Sequence, residues 1–507
     1  MSDIAVRTRV IALVTFLIYS AGCIIIGNLA NKKNSSGEFG KTFFAGGGNL
    51  SIIPMGLMLA SAAASGSTFL ANPGIASTWG LMWIVAEFLF VFSSLIAGIV
   101  GSKKLKIVCN RINCVSTGVA LKHRYENSTF IGWFAPLAIL VFQGLFLYQQ
   151  VASGAKLMES VTGLPYIWGL IIFGGVLLAY TVFSGAKGSS VVSILQGAVM
   201  SVAAFALIFG IYGAVHQVHG STEAGFRYLA ATDPELLHPA SRFSFPILVS
   251  YFFYMGFSVS IGNDSVAKAT KVATSKTLHS STFLSVIIVG FWAIALNLLG
   301  LVAKMAFPDV PADTIIPYSA LATLPPVMSG IVVAGVAAAI HSTLAFVLLN
   351  INSSVVMDLY QGQIKKGTAT NKELKTVNTI CTCLLIAAMV AFAIKPPALL
   401  GIINIFASVG GACAFLVPVL FGLWWKRANK YGCVASMICG VGYFIAAQRV
   451  PAMTLGLHAM IPSLIAAMLG MVIVSLLTPP PSDDVMDVWF GVGLAAHRKA
   501  LEEGKAS

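Results

Sequence analysis

The sequence predicts an all-α integral membrane protein, and three observations predict it. Hydrophobic residues make up 57% of the 507-residue chain and charged residues only 10%, where a soluble domain carries about 25% charged. Apolar runs recur along the whole chain, each near the ~20 residues a helix needs to cross the hydrocarbon layer, and mean hydropathy is +0.87. Lys and Arg gather in alternate loops between those runs.

Thirteen segments read as spans: 10–30, 50–74, 80–101, 130–154, 164–183, 189–214, 245–263, 280–305, 326–356, 376–395, 399–423, 431–448 and 456–477. Backbone groups in lipid must bond within their own segment, so the spans are helices. With the N-terminus outside, eight of the 31 Lys and Arg (Arg7, Arg9, Lys156, Arg227, Arg242, Lys304, Lys395 and Arg449) stay on the outer side and 23 fall in cytoplasmic loops. That bias is the positive-inside pattern, and an odd span count puts the C-terminus in the cytoplasm of a multi-pass plasma-membrane protein. The formal net charge of +13 would suggest nucleic acid on a soluble chain. Here the loop bias accounts for it, so the expected partners are the bilayer, a small solute and an ion, with no nucleic acid and no obligate protein partner.

The first run follows Arg7 and Arg9, and Ser20-Ala21-Gly22-Cys23 resembles a lipoprotein cleavage box. Ile24, Ile25 and Ile26 carry the run on past that cysteine, beyond the ~7–15 residues of a signal h-region, so it reads as a retained first helix. The loops 102–129, 215–243 and 306–325 are too short to bury a core of their own. Residues 1–478 therefore read as one transmembrane domain, followed by a cytoplasmic tail, 479–507. The eight cysteines include no CxxC pair and no zinc spacing. No nucleophile, base and oxyanion-donor set shares one face, so an enzyme is not expected.

Polar and helix-breaking residues inside spans are functional candidates by default. In the second span, Ser61 to Thr68 is a run of tiny and hydroxyl residues around Gly66. An unwound helix here would free carbonyls for a cation and N–H groups for an anion; a tight helix-packing face reads from the same residues. In the ninth span, adjacent Ser342 and Thr343 point about 100° apart on a helix and can offer two hydroxyl oxygens to one partner. Sodium, a hard monovalent cation, suits such oxygens. The alternative is that both hydroxyls bond back to carbonyls one turn earlier. In the seventh span Gly256 and Gly262 bracket Phe257 and Ser258. Interrupted helices in the second and seventh spans point to inverted repeats, 50–214 and 245–423, with a binding site between them; 10–30 and 431–477 are then extra helices.

These residues resemble the sodium:solute symporter family, and within it the pantothenate branch, over nearly the whole chain. The resemblance is carried by Ser67-Thr68-Phe69 with Asn72-Pro73-Gly74, by Gln150 with Gly154 to Glu159 and Gly163-Leu164-Pro165, by Ala179 to Phe183, and by Gln196-Gly197. Ala337 to Thr343 with Asp358-Leu359-Tyr360 is its most specific part. Lys395-Pro396-Pro397, Asn404, Pro418 and Trp424 to Gly432 are similar to the pantothenate branch.

The resemblance implies a leucine-transporter-like fold of 5+5 inverted repeats, a co-transported sodium ion, and alternating access. It implies a sodium site made of the carbonyls of Ser61, Ala64 and Ala339 and the hydroxyls of Ser342 and Thr343. It implies a solute pocket lined by Ser65, Gly66, Ser67, Thr68, Gln150, Phe257, Ser258 and Asn404, with pantothenate or another small carboxylate as the solute. Two positions depart from the pattern. His341 stands where a large apolar residue is usual, and Ser193 where relatives carry an aspartate associated with cation coupling, which leaves a second cation site without its carboxylate. His341 and Glu87, titratable and inside spans, would carry coupling in a rival, proton-driven reading; a neutral packed histidine is the plain alternative. A second rival, a solute sensor of the same shape, needs an output domain that a tail of some thirty residues does not supply.

Overall fold

The computed structural model describes residues 4–32, 51–112, 114, 116–239, 245–247, 249–251, 253, 275–395 and 400–491. The described residues are helical wherever they are regular. In chain order the helices are α1 (Val6–Lys32), α2 (Ile52–Ala63), a π-turn (Ser67–Ala71), α3 (Asn72–Trp79), α4 (Leu81–Ile112), α5 (Thr117–Arg124), α6 (Thr129–Thr162), α7 (Tyr166–His219) and α8 (Thr222–Thr232). They continue as α9 (Ser275–Ala306), α10 (Ile315–Thr323), α11 (Pro326–Ser353) with a π-helical extension (Ser354–Ile364), α12 (Asn371–Phe392), α13 (Leu400–Trp424), α14 (Lys430–Arg449), α15 (Met460–Leu477) and α16 (Asp483–Phe490).

Local signals set many of the ends. Ser116, Ser221 and Asn429 accept backbone N–H groups as N-caps, and Thr370 with Glu373 forms a capping box, each removing an orphaned donor. Gly163 and Gly220 close α6 and α7 in the left-handed region, at φ +71° and +79°, where a side chain would be strained.

Among the described residues nine helices are long and apolar enough to cross a membrane, and a tenth span forms if the bent pair of α2 with Ser67–Trp79 is counted as one. Of the other expected spans, 80–101 lies within α4, 164–183 within the first part of α7, and 245–263 runs outside the described residues. α7 is recorded as one helix of 54 residues, yet it cannot be straight. Phe173 stacks on His341 with centroids 4.9 Å apart, and Val192 packs in one cluster with Ala345. Nineteen residues of straight helix would separate Phe173 from Val192 by about 28 Å, while their partners are one turn apart. The chain therefore doubles back between them, as two spans at 164–183 and 189–214 require.

α11 is the central post. From Val332 to Leu348 its residues are buried, so it is apolar all round, as an enclosed helix must be. α1, α6 and α7 pack around it, α9 covers α2, α3 and α4, and α13 lies along α6. Small residues let these helices approach: a Cβ at Gly330 would fall 2.6 Å from Thr15, and one at Gly335 2.4 Å from the Ala203 Cβ.

The two cation sets of the sequence lie at opposite ends of α6. Near its last turn Arg9 donates to Ser160 O (2.8 Å) and Lys156 pairs with Asp313. Near its first turn, Arg124 and Lys430 take part in the contacts of the other end, and a Cβ at Gly132 would collide with Gln363.

Candidate cation and solute site

α2 stops at Ala63. Ala64 is extended (φ −79°, ψ 133°), and the chain re-enters helix at Ser67 through the π-turn; the two halves meet at 67°. The break falls where the sequence holds only tiny and hydroxyl side chains. Gly66 is required there, because a Cβ would lie 2.9 Å from both Gln150 Oε1 and the Ser153 Cβ.

Breaking a helix leaves its last carbonyls without intrahelical donors. Two of them turn to α11. Ser342 Oγ donates to Ser61 O (2.7 Å), and Thr343 Oγ1 donates to Ala64 O (2.8 Å). Ser342 also approaches Ala339 O at 3.1 Å, one turn back on its own helix. Of the back-bonding alternative, Ser342 thus keeps one contact, while Thr343 reaches across to α2. Ser61, Ala64, Ala339, Ser342 and Thr343 are all buried, none more than 2% exposed. The five expected residues are brought together around neutral oxygens. Such a nest suits one hard monovalent cation, since burying a free charge among apolar groups is costly and oxygen ligands offset that cost.

On the other side of the break, the first N–H groups of the second half are capped. Ser65 N donates to Thr68 Oγ1 (3.2 Å), Gly66 N to Gln150 Oε1 (2.9 Å) and Ser67 N to Ser65 Oγ (3.1 Å). Gln150 Nε2 passes the chain to Gln149 Oε1 (2.9 Å), which Ser67 Oγ also approaches (3.4 Å), and Gln149 Nε2 donates to Ser153 Oγ (3.0 Å). Gln149 and Ser153 were not anticipated. Their signal was two adjacent carboxamides inside an apolar run, followed by a serine one turn on.

The remaining expected residues divide. Asn404 lies half-buried in α13, one turn past Gly401, whose Cβ would meet Ile75 of α3 at 2.4 Å. Among the described residues no hydrogen bond joins Asn404 to the Gln150 network. Phe257 and Ser258 lie outside the described residues. Glu87 Oε1 accepts from Asn72 Nδ2 (2.6 Å), tying α4 to α3. His341 is buried with its ring stacked on Phe173 and 6.4 Å from Phe16. These contacts place Glu87 behind the second half of the broken helix and His341 among rings of α1 and α7.

A helix broken among buried polar groups, facing a regular helix that offers two hydroxyls, inside a many-helix membrane bundle, defines a secondary transporter. A family model described as the sodium:solute symporter family matches residues 43–440. The chain is 30% identical over 472 residues to the sodium/pantothenate symporter of Escherichia coli (strain K12), covering 92% of this chain and 95% of that one. It is 27% identical over 493 residues to a high-affinity proline transporter of Bacillus subtilis (strain 168), covering 92% and 98%. In three dimensions it is similar to a sodium-coupled sialic acid symporter solved in a substrate-bound, outward-open state, with TM-score 0.80, 17% identity, and 93% and 98% of the two chains covered.

The chain belongs to the sodium:solute symporter family. Its fold is leucine-transporter-like, and it is a multi-pass plasma-membrane transporter that couples a solute to sodium rather than an enzyme.

Proposed function

We propose that this chain drives the uptake of a small carboxylate, with pantothenate as the first candidate, by alternating access around a sodium ion held between the broken helix and α11. The observation that carries the reading is the pair of hydroxyl contacts across the break, from Ser342 to Ser61 O and from Thr343 to Ala64 O. Sodium takes the place of the two hydroxyl-to-carbonyl hydrogen bonds: both hydroxyls keep their protons and rotate, and the carbonyls of Ser61, Ala64 and Ala339 and the hydroxyls of Ser342 and Thr343 turn their lone pairs to the ion. The ion then bridges two helices that move against each other, so its binding favours one state over the other. Ion and solute occupancy are linked by a reciprocal coupling energy of about 1–3 kcal/mol. The membrane potential adds about 2.3 kcal/mol per charge for each 100 mV.

The solute site is the Ser65–Thr68 turn with Gln150. There the Gln150 carboxamide oxygen sits on Gly66 N, the position a carboxylate oxygen would take at a helix N-terminus. A solute carboxylate displaces that amide, whose NH2 is then free to bind it as well. Asn404, Phe257 and Ser258 complete the lining in this reading. Among relatives the names extend to both pantothenate and proline, and both molecules carry a carboxylate. Glu87 and His341 stay outside the coupling chemistry, the first bound to Asn72 and the second packed on Phe173.

Uptake into proteoliposomes, with and without sodium at fixed pH, tests the reading. Thr343→Ala is expected to raise the half-saturating sodium concentration about tenfold or more with little loss of inserted protein. Sodium-driven uptake that survives Ser342→Ala combined with Thr343→Ala removes the site. Thermal shifts of the purified protein with pantothenate, proline and a neutral sugar, each with and without sodium, rank the solutes. A sodium-dependent shift with the sugar alone rejects the carboxylate.

A further inference from the structure

Gln196 is fully buried, at 0% exposure, and among the described residues neither its Oε1 nor its Nε2 has a hydrogen-bond partner. Buried amides are nearly always hydrogen-bonded, so an orphaned one marks a partner that arrives in another state. Helix register identifies what Gln196 faces. Val192 of α7 shares one small buried cluster with Ala345 of α11 and Cys23 of α1, and Ala203 lies against Gly335. Higher numbers on one helix thus meet lower numbers on the other, so the two run antiparallel. Residues 192, 196, 199 and 203 share one face of α7, and residues 335, 338, 342 and 345 share one face of α11, by helical spacing. Gln196 therefore stands opposite Ser342.

A third helix closes the junction. A Cβ at Gly197 would lie 3.1 Å from Leu57 O of α2. One turn further along α2 is Ser61, whose hydroxyl is also fully buried and, among the described residues, unpartnered. Gln196 is thus set where α2, α7 and α11 meet, directly behind the proposed cation nest.

Ser342 has one hydroxyl hydrogen, and it points to Ser61 O or Ala339 O. Both of those oxygens are themselves proposed ligands. Once an ion holds them, and a Ser342 lone pair as well, the hydrogen needs a different acceptor. Ligand groups around metal ions are oriented by such outer partners. We propose that Gln196 is a positioning residue of the cation site: its carboxamide oxygen takes the Ser342 hydrogen when sodium enters, and its NH2 group holds the Ser61 hydroxyl. This rests on the cation site proposed above.

The test is sodium-dependent uptake by the full chain in proteoliposomes. Gln196→Met keeps the volume and removes the acceptor. It is expected to raise half-saturating sodium about tenfold, while the solute KM at saturating sodium stays near that of the native chain. Gln196→Glu, which keeps an acceptor oxygen, is expected to hold sodium dependence closer to the native value than Gln196→Met does. In a Ser342→Ala background, where no hydroxyl hydrogen remains, Gln196→Met is expected to add nothing. An unchanged half-saturating sodium in Gln196→Met, or an equal shift with and without Ser342, overturns the role of Gln196. Thr343→Ala separates the two failures: if it still shifts sodium dependence, the cation site stands without Gln196, and if it does not, the site itself falls. Should Gln196→Met fail to insert, Gln196→Asn, which withdraws the amide by one methylene, is read against the same outcomes.

Discussion

The two ends of the bundle are closed by different chemistry. At the end that holds Arg9 and the last turn of α6, one ion pair joins α6 to the segment before α10, Lys156 Nζ to Asp313 Oδ2 at 2.5 Å. The same carboxylate oxygen receives Leu400 N at 3.4 Å, where α13 begins. Uncharged rings lie at this end in a chain: Trp79 on Trp83 (5.5 Å), Trp83 on Tyr251 (5.6 Å) and Tyr251 on His458 (5.5 Å). The opposite end is closed in layers. Fully buried Arg124 donates to Gly422 O (2.8 Å) and Trp425 O (3.2 Å), and Tyr125 donates to Pro418 O (2.7 Å). Below them α16 lays Trp489 and Phe490 on the guanidinium, at 5.9 and 5.5 Å, and Arg111 holds Val488 O (2.7 Å). Asp358 accepts from Ser116 at 2.5 Å. A thin closure opens at little cost, whereas a layered one yields only when several contacts go together. A coupling energy of about 1–3 kcal/mol suffices for the first, while the second calls on ion and solute acting jointly.

Arg124 offers the largest way to break this comparison. Arg124→Met takes the donor from the Gly422 and Trp425 carbonyls and removes a cation from over the rings of Tyr125, Trp489 and Phe490. The expected loss is about 4 kcal/mol, read as a lower melting temperature and a solute leak without sodium. Arg124→Lys is not expected to rescue it, because a point ammonium cannot span two carbonyls as a planar fork does. A melting temperature equal to that of the native chain would mean that the inner layers carry no weight.

Lys156→Met comes second. Removing one partner of a fully buried pair costs about 3–5 kcal/mol. Lys156 is 13% exposed, so screening reduces the expected figure to about 2 kcal/mol. The loss is expected to fall on the conformation that keeps Lys156 on Asp313, because opening of this end would expose the carboxylate to water. Reagent access to the outer vestibule should therefore rise more than the melting temperature falls. Lys156→Met with Asp313→Asn should lie nearer the native chain than Lys156→Met alone. A double variant as open as the single one counts against the pair as the outer lock.

The sequence showed the thin features better than the layered ones. The break at Ser61–Thr68 was legible because the cause is local: the Ser65 and Thr68 hydroxyls bond backbone N–H groups outside a regular helix, as such residues do, and Gly66 admits the approach of Gln150. Ser342 and Thr343 were legible because hydroxyls stand out in an apolar run. Arg124 was read only as a loop charge. Its burial depends on carbonyls some 298 and 301 positions away, which no local pattern encodes. α16 was read as part of a plain tail, although Ser482 followed by Asp483 and Asp484, with Gly491 at the end, is a start-and-stop signature. The loops at 102–129, 215–243 and 306–325 likewise hold the short helices α5, α8 and α10. Gln196 carried a family resemblance, but its partner could be identified only from the register of α7 against α11.

Acid gives the smallest effect and sharpens the comparison further. At the outer end, between α14 and α15, burial holds the His458 imidazole at about 4, below the ordinary 6.5. Its Nδ1 accepts from Met460 N (3.3 Å), so the folded chain keeps it neutral. The unfolded chain binds a proton near pH 6.5, and the folded chain does so only near 4. The stability this group contributes is therefore intact above pH 6.5 and is lost progressively as the pH falls from 6.5 to 4. The inner end has a counterpart in His123, whose Nδ1 accepts from Trp489 Nε1 (3.1 Å) and whose pKa is also lowered by burial. Protonation there unhooks one bond of a layered closure, whereas at His458 it puts a charge on a ring packed against Tyr251. His458→Gln is thus expected to flatten the fall of melting temperature between pH 6.5 and 4, and to flatten the acid-induced rise in outer accessibility more than His123→Gln does. Equal effects of the two variants on outer accessibility would show that the thin and layered ends respond as one.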